Sequence, residues 1–191
     1  MRRTITLMLK ILLFTLAFAY GVYVFMPWRG VGKLALSFGH DMLQRRGMRL
    51  NYADISGEDG GFTVSSLKIS GMVDVTLGSV TIKPDMTASI LSLSPVCGIT
   101  FKDCNIRLGQ TMNFGSGGFL LTYGREVILE GLHTDGDFSL DGYMTVNTAT
   151  MKIGRADALL EVPPEFSQNM SIVSSFLPLV QEGGKWYLRR K

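Results

Sequence analysis

From Met48 onward the chain is a succession of short β-type runs punctuated by glycine, and this alternation restricts its fold more than any other feature. Apolar residues recur at every second position: Val73, Val75, Leu77; Ile99, Phe101; Cys104, Ile106, Leu108; Phe138, Leu140; Met144, Val146. Successive side chains of a strand point to opposite faces. A period of two therefore makes one face apolar and leaves the other to water, as in a half-buried antiparallel sheet. Strands are expected near 48–55, 62–70, 72–82, 98–108, 116–123, 126–133, 136–147 and 149–161.

The parity of these runs slips along the chain. Val73, Val75 and Leu77 are odd-numbered, whereas Val80 and Ile82 are even, with Gly78 between them. Ile99 and Phe101 are odd, Cys104 and Ile106 even. A slip sends the apolar set to the other face unless a bulge intervenes, and repeated bulges curve a sheet. The fold class expected is mainly β with a few short helices, its curved antiparallel sheet forming a trough or open barrel. The apolar face would carry Val73, Val75, Val80, Ile82, Ile99, Phe101, Ile106, Phe138, Leu140, Met144 and Val146. Such a face suits either a lipid-binding groove or a core filled beneath the sheet, and the pattern alone favours the filled core.

Two helical insertions interrupt the strands. In "VTIKPDMTASILSLSP" (80–95), Pro84 cannot donate a ladder hydrogen bond and suits a helix start, and Asp85 favours that end of the dipole. Met86, Ile90 and Leu93 then point one way and Pro95 stops the turn, so this helix is expected to plug the open end of the sheet. In "PPEFSQNMSIVSSFLPLV", Phe166, Met170, Val173 and Leu177 have helical spacing between Pro163–Pro164 and Pro178. "KWYLRRK" reads as a final edge strand whose charges discourage further pairing.

Residues 7–26, "LMLKILLFTLAFAYGVYVFM", have the length of a membrane span: twenty residues of helix rise about 30 Å. Eleven are Leu, Ile, Val or Phe, together worth about −3 to −7 kcal/mol in a bilayer. The expected anchor comprises Leu7, Lys10, Ile11, Phe14, Phe18, Val22, Phe25 and Trp28, with Lys10 snorkelling at one interface and Tyr20, Tyr23 and Trp28 favouring the other. "AFA" at 17–19 resembles a signal-peptide cleavage site. The apolar run continues through "YGVYVFM", which a cleaved peptide does not require, so a retained anchor is expected. Arg2, Arg3, Lys10 and the amino terminus precede the span, Arg29 and Lys33 follow it, and the balance favours a cytoplasmic N-terminus.

The expected organisation is a cytoplasmic stub and transmembrane anchor over 1–30, an amphipathic helix over 31–47 and an extracytoplasmic β domain over 48–191. In the amphipathic helix Val31, Leu34, Ala35, Phe38 and Met42 share a face, which either lies on lipid or caps the sheet; capping is favoured because strands follow directly. Residues 1–33 hold five basic and no acidic residues, leaving 14 basic and 16 acidic over 34–191, a net of −2. The body lacks the broad basic field of a nucleic-acid binder, so no nucleic-acid partner is expected.

The chain carries no nucleophile elbow, zinc-protease motif or phosphate loop. His40 and His133 have no metal-spaced partners. "DGDFSLDG" places Asp135, Asp137 and Ser139 at alternate positions, but Leu140 and Val146 stand where a calcium loop needs glycine and glutamate, so hairpin-turn aspartates are expected. Cys97 and Cys104 would lie about 23 Å apart along one straight strand, too far to bond. A hairpin at Lys102–Asp103 would bring them together, but that dipeptide is a poor turn, so free, half-buried thiols are expected. No enzyme activity, metal or cofactor is expected.

Four stretches carry a resemblance to a known group: "VYVFMPWRGVGKLAL", "GMRLNYADISG", "LGSVTIKPDMTASILSLSPVCGITFKDCNIRLG" and "GDFSLDGYMTVNTATMKIG". The chain resembles the AsmA-like envelope proteins and, among them, the type II secretion protein N (GspN) family. Relatives of that kind are usually longer, with more strands after the last helix. The resemblance implies a single-pass protein of a bacterial inner membrane, with its body in the periplasm and membrane lipid around its anchor. It further implies a non-enzymatic role, either as an accessory or interaction subunit among envelope or secretion-system proteins, or as a lipid-binding or lipid-transfer protein.

Overall fold

The computed structural model describes residues 2–58, 60–71, 73–108, 110–150, 152–164, 166, 170, 174, 178–182 and 185–190, with the backbone alone at 2–9, 12, 16, 19, 58, 108 and 190. Its strands are β1 (Arg49–Asn51), β2 (Asp54–Glu58), β3 (Gly61–Ser70), β4 (Asp74–Pro84), β5 (Val96–Leu108), β6 (Gln110–Tyr123), β7 (Glu126–Thr134), β8 (Ser139–Asn147), β9 (Ile153–Glu161), β10 (Leu179–Glu182) and β11 (Lys185–Arg190). They form one 11-stranded sheet in the order β1-β3-β4-β5-β6-β7-β8-β9-β11-β10, with β2 also on β3. Every pairing is antiparallel, and among the described residues no strand pair joins the two outer edges, so the sheet is open rather than closed into a barrel. "KWYLRRK" is not the edge: β11 inserts between β9 and β10, and the short β10 takes the outer position.

The parity slips are real, and they line up. Asn51↔Lys68 and Asp54↔Ser65 bracket Ser66, Leu67↔Leu77 and Ser65↔Ser79 bracket Gly78, and Thr76↔Asn105 and Ser79↔Lys102 bracket Asp103. On β6, Gly115 stands opposite Cys104. Ser66, Asp103 and Gly115 have positive φ of 52°, 54° and 63°. Four adjacent strands therefore change parity along one line. Val64 and Leu67 fall on the same side, both packed with Phe62, and so do Phe101, Cys104 and Ile106. The apolar face remains one face because all four strands flip together.

The helices are α1 (Arg2–Val24), α2 (Trp28–Gln44) and α3 (Met86–Ser92). α2 caps the sheet over β1–β3, and of the expected stripe Val31 packs against the core, while the rest of the contact comes from other residues. Trp28 and Gly32 are buried and Leu36 is half-buried, whereas Leu34, Phe38 and Met42 are exposed. The helix starts at Trp28 rather than 31 because Pro27 serves as its N-cap. Trp28, expected among the anchor residues, packs into the β domain. It is buried against Ile55, Phe62 and Val64, with its ring edge-on to Tyr23 at 5.3 Å.

The expected span is a single helix, α1. Lys10, Ile11, Phe14, Phe18 and Val22 on it, and Phe25 just beyond it, are exposed. Among the described residues no helix is long and apolar enough to cross a membrane. The side chains of Leu7, Met8, Leu9, Leu12, Leu16 and Ala19, which contribute much of the expected apolar run, lie outside the described residues. Of the expected helix over 163–178, Met170 and Ser174 are helical, while Val173 and Leu177 lie outside the described residues.

α3 does not plug the sheet. None of its residues is buried, and Met86, Ile90, Leu91 and Leu93 are exposed. Asp85, expected at the favourable end of the dipole, caps the helix by accepting a hydrogen bond from the Ala88 N–H at 2.8 Å, and Leu93, expected on the helix's apolar face, instead closes it in the left-handed conformation at φ 52°.

Candidate functional site

The apolar face has two halves with different covers. Over β2–β4 it is filled: Trp28 of α2 joins Ile55, Phe62 and Val64, and Leu67 and Ile82 pack at the margin. Over β5–β11 it forms a concave cavity of about 450 Å³. Phe101, Cys104, Ile106, Met112 and Phe114 line one wall, and Leu160, Met170, Leu179 and Leu188 the other. Phe138 is buried at its base, its ring 5.6 Å from Phe114 and edge-on to Phe166 at 5.0 Å.

Of the residues expected on this face, Val73, Phe101, Ile106, Phe138, Leu140 and Met144 line the cavity. Ile82 belongs to the filled half, and Val75, Val80, Ile99 and Val146 are half-buried outside the cavity. The sequence reading missed Met112, Phe114, Leu132, Ile153, Leu160, Leu179 and Leu188 as wall residues. Met112 and Phe114 carried a signal, since they alternate like the other runs. Leu179 and Leu188 reach the wall only because β11 and β10 extend the sheet beyond β9.

Among the described residues, no carboxylate, amine or imidazole lines the cavity. The hydroxyl on the described lining, that of Thr134, is already engaged: it donates to the Phe138 carbonyl at 3.2 Å and accepts from the Leu140 N–H at 2.8 Å. The site can therefore bind apolar matter by burial and shape, and the one thiol on its described lining, Cys104, is raised in pKa by burial.

Cys97 and Cys104 are both free, as expected, and burial raises both thiols above their ordinary pKa. No hairpin forms at Lys102–Asp103; the chain bulges there and β5 continues. Asp135 and Asp137 act as turn residues, as expected: Asp135 accepts from the Ser116 N–H at 2.5 Å and Asp137 from the Asn113 amide at 3.1 Å. His133 is exposed, with Nδ1 2.6 Å from Asp141 Oδ1, and this hydrogen bond followed by the carboxylate charge raises its pKa. His40 is exposed on α2. Among the described residues, no group of three or more His, Cys, Asp or Glu is placed to hold a metal ion.

A family model described as "Type II secretion system protein GspN-like, Synergistales" matches residues 3–190. No curated protein matches the chain, and no solved structure does. Nothing in these comparisons supports the AsmA-like side of the resemblance. With a match running almost end to end, the chain belongs to the GspN-like type II secretion family of the Synergistales.

Proposed function

We propose that this protein is a non-enzymatic interaction subunit of a type II secretion envelope complex. In this reading it is held in the inner membrane by α1, with its amino terminus cytoplasmic and its β trough in the periplasm. The carrying observation is the cavity over β5–β11, whose described lining is apolar apart from one internally satisfied hydroxyl, in a chain of the GspN-like family. The trough takes an apolar segment of a secretion-system partner. Anchoring is supported by Ile11, Leu13, Phe14, Phe18 and Val22, which are exposed around α1 and which the β domain does not cover. A helix apolar on all sides needs an apolar surrounding. A second reading, in which the trough holds a lipid acyl chain, is favoured by the same lining.

The test is photo-crosslinking in the native host, with p-benzoylphenylalanine replacing Met112 or Leu179 in the full chain. Adducts with a secretion-system protein are the expected result. Adducts of phospholipid mass alone would overturn the interaction reading in favour of the lipid one. Protease treatment of spheroplasts checks topology, and a body protected from digestion contradicts the periplasmic placement.

A further inference from the structure

We propose that α3 is a second membrane contact, its apolar tip resting in the lipid interface beside the exit of α1. The proposal rests on the reading of α1 as a membrane anchor. Ile90, Leu91 and Leu93 are 62%, 82% and 91% exposed. From Met86 to Phe101 the chain carries no charged residue. Large apolar side chains held in water without charges among them mark an interaction surface.

Two of the tip's hydroxyls and its last turn are satisfied from within. Ser92 donates to the Ala88 carbonyl at 2.7 Å, and the Ser89 hydroxyl donates to the Asp85 carbonyl at 2.5 Å and accepts from the Val96 N–H at 2.9 Å. The left-handed cap at Leu93 closes the last turn, with the Ser94 N–H on the Ser89 carbonyl at 3.3 Å. Internal satisfaction of hydroxyls and backbone is what insertion into an apolar layer demands.

Position selects lipid over a protein occupant. The Tyr23 hydroxyl, one residue from the end of α1, donates to the Gly60 and Pro84 carbonyls at 3.1 and 3.3 Å. α3 begins two residues after Pro84, so its base and the C-terminal end of α1 meet at one point. Exposed Leu120 and Tyr123 flank the tip, the latter tied to Pro95 by its backbone N–H at 2.9 Å. Tyrosine is enriched at membrane interfaces. α2 carries exposed apolar residues too, but it runs down the sheet from Gly57 toward Leu50, which takes Phe38 about 15 Å from Trp28.

The experiment uses the full chain, with Cys97→Ala and Cys104→Ala, in phosphatidylethanolamine–phosphatidylglycerol vesicles. Single cysteines at Leu91, Phe14 or Phe38 carry an environment-sensitive fluorophore, and Leu93→Cys serves as a second tip probe. Circular dichroism confirms that each variant keeps its β signal. The tip labels are expected to shift to the blue and to lose emission to shallow spin-labelled lipid more than to deep. The Phe14 label is expected to be quenched by deep spin label, and Phe38 by neither. Quenching at Phe14 with both tip labels as unquenched as Phe38 overturns the proposal and leaves the anchor standing. No quenching at Phe14 overturns both. A blue shift at the tip without lipid quenching assigns the tip to a protein partner or second copy, and also overturns the proposal.

Discussion

Gly32 of α2 lies against the ring of Phe62: a Cβ at Gly32 would fall 2.8 and 2.9 Å from two ring carbons and 3.0 Å from Ile55 Cγ2. Phe62 and Ile55 are buried and cannot give way. Gly32→Ala adds about 1 kcal/mol of helix propensity but overpacks the contact by about 1–3 kcal/mol, so a net loss is expected. Gly30→Ala, with nothing within 4 Å of its added Cβ, is expected to gain up to about 1 kcal/mol. Urea unfolding of both variants checks the contrast; equal effects would remove the claim that Gly32 sets the helix–sheet distance.

Trp28 is buried with its indole Nε1 lacking a hydrogen-bond partner among the described residues. Trp28→Ala should cost about 3–5 kcal/mol, the usual loss for a large core aromatic. Trp28→Phe removes some packing but also an unpaired donor, whose burial costs about 1–3 kcal/mol. The phenylalanine variant is therefore expected to lie within about 1 kcal/mol of the parent. Thermal unfolding distinguishes the two.

Ser66 and Asp103 hold left-handed backbone in the line where the strands change parity. A β-branched residue is strained there, so Ser66→Val and Asp103→Val should each lose about 1–3 kcal/mol. Glycine adopts that conformation freely, which offsets its greater freedom when unfolded, and both glycine variants are expected within about 1 kcal/mol of the parent. Equal tolerance of valine and glycine in urea unfolding would show that the line does not depend on these φ values.

His133 is held above its ordinary pKa by the hydrogen bond and charge of Asp141, with Asp135 adding a smaller contribution. A raised value in the folded state means that the pair stabilises most below the ordinary imidazole value near 6.5, and that this is lost as pH rises through the folded value. The side chain is exposed, so the effect on stability is small. An NMR titration should find the His133 midpoint lowered in Asp141→Asn; an unchanged midpoint would contradict the pairing.

Cys97 and Cys104 are raised in pKa by burial, and Cys104 is the more buried. Both should alkylate more slowly at pH 8 than an exposed thiol, with Cys104 the slower, because the thiolate is the reacting form. Mass spectrometry after timed iodoacetamide treatment gives the order.

The β class, the strand spacing and the start of α3 were legible in the sequence, because each depends on residues adjacent in the chain. Alternation reports on neighbours two apart, and Asp85 caps an N–H only three residues on. The parity slips were equally visible. Their consequence was not, because whether a slip turns an apolar set away depends on what the adjoining strands do at the same height. Ser66, Gly78, Asp103 and Gly115 share that height only once register is set by pairing across the sheet. The cover over the apolar face was likewise a tertiary matter. Gly32 lets α2 settle on Phe62 and bury Trp28 over one half of the face, while β11 slots in beside β9 and brings Leu188 to the wall of the other. Periodicity names the residues that must leave water, and only long-range packing decides what covers them.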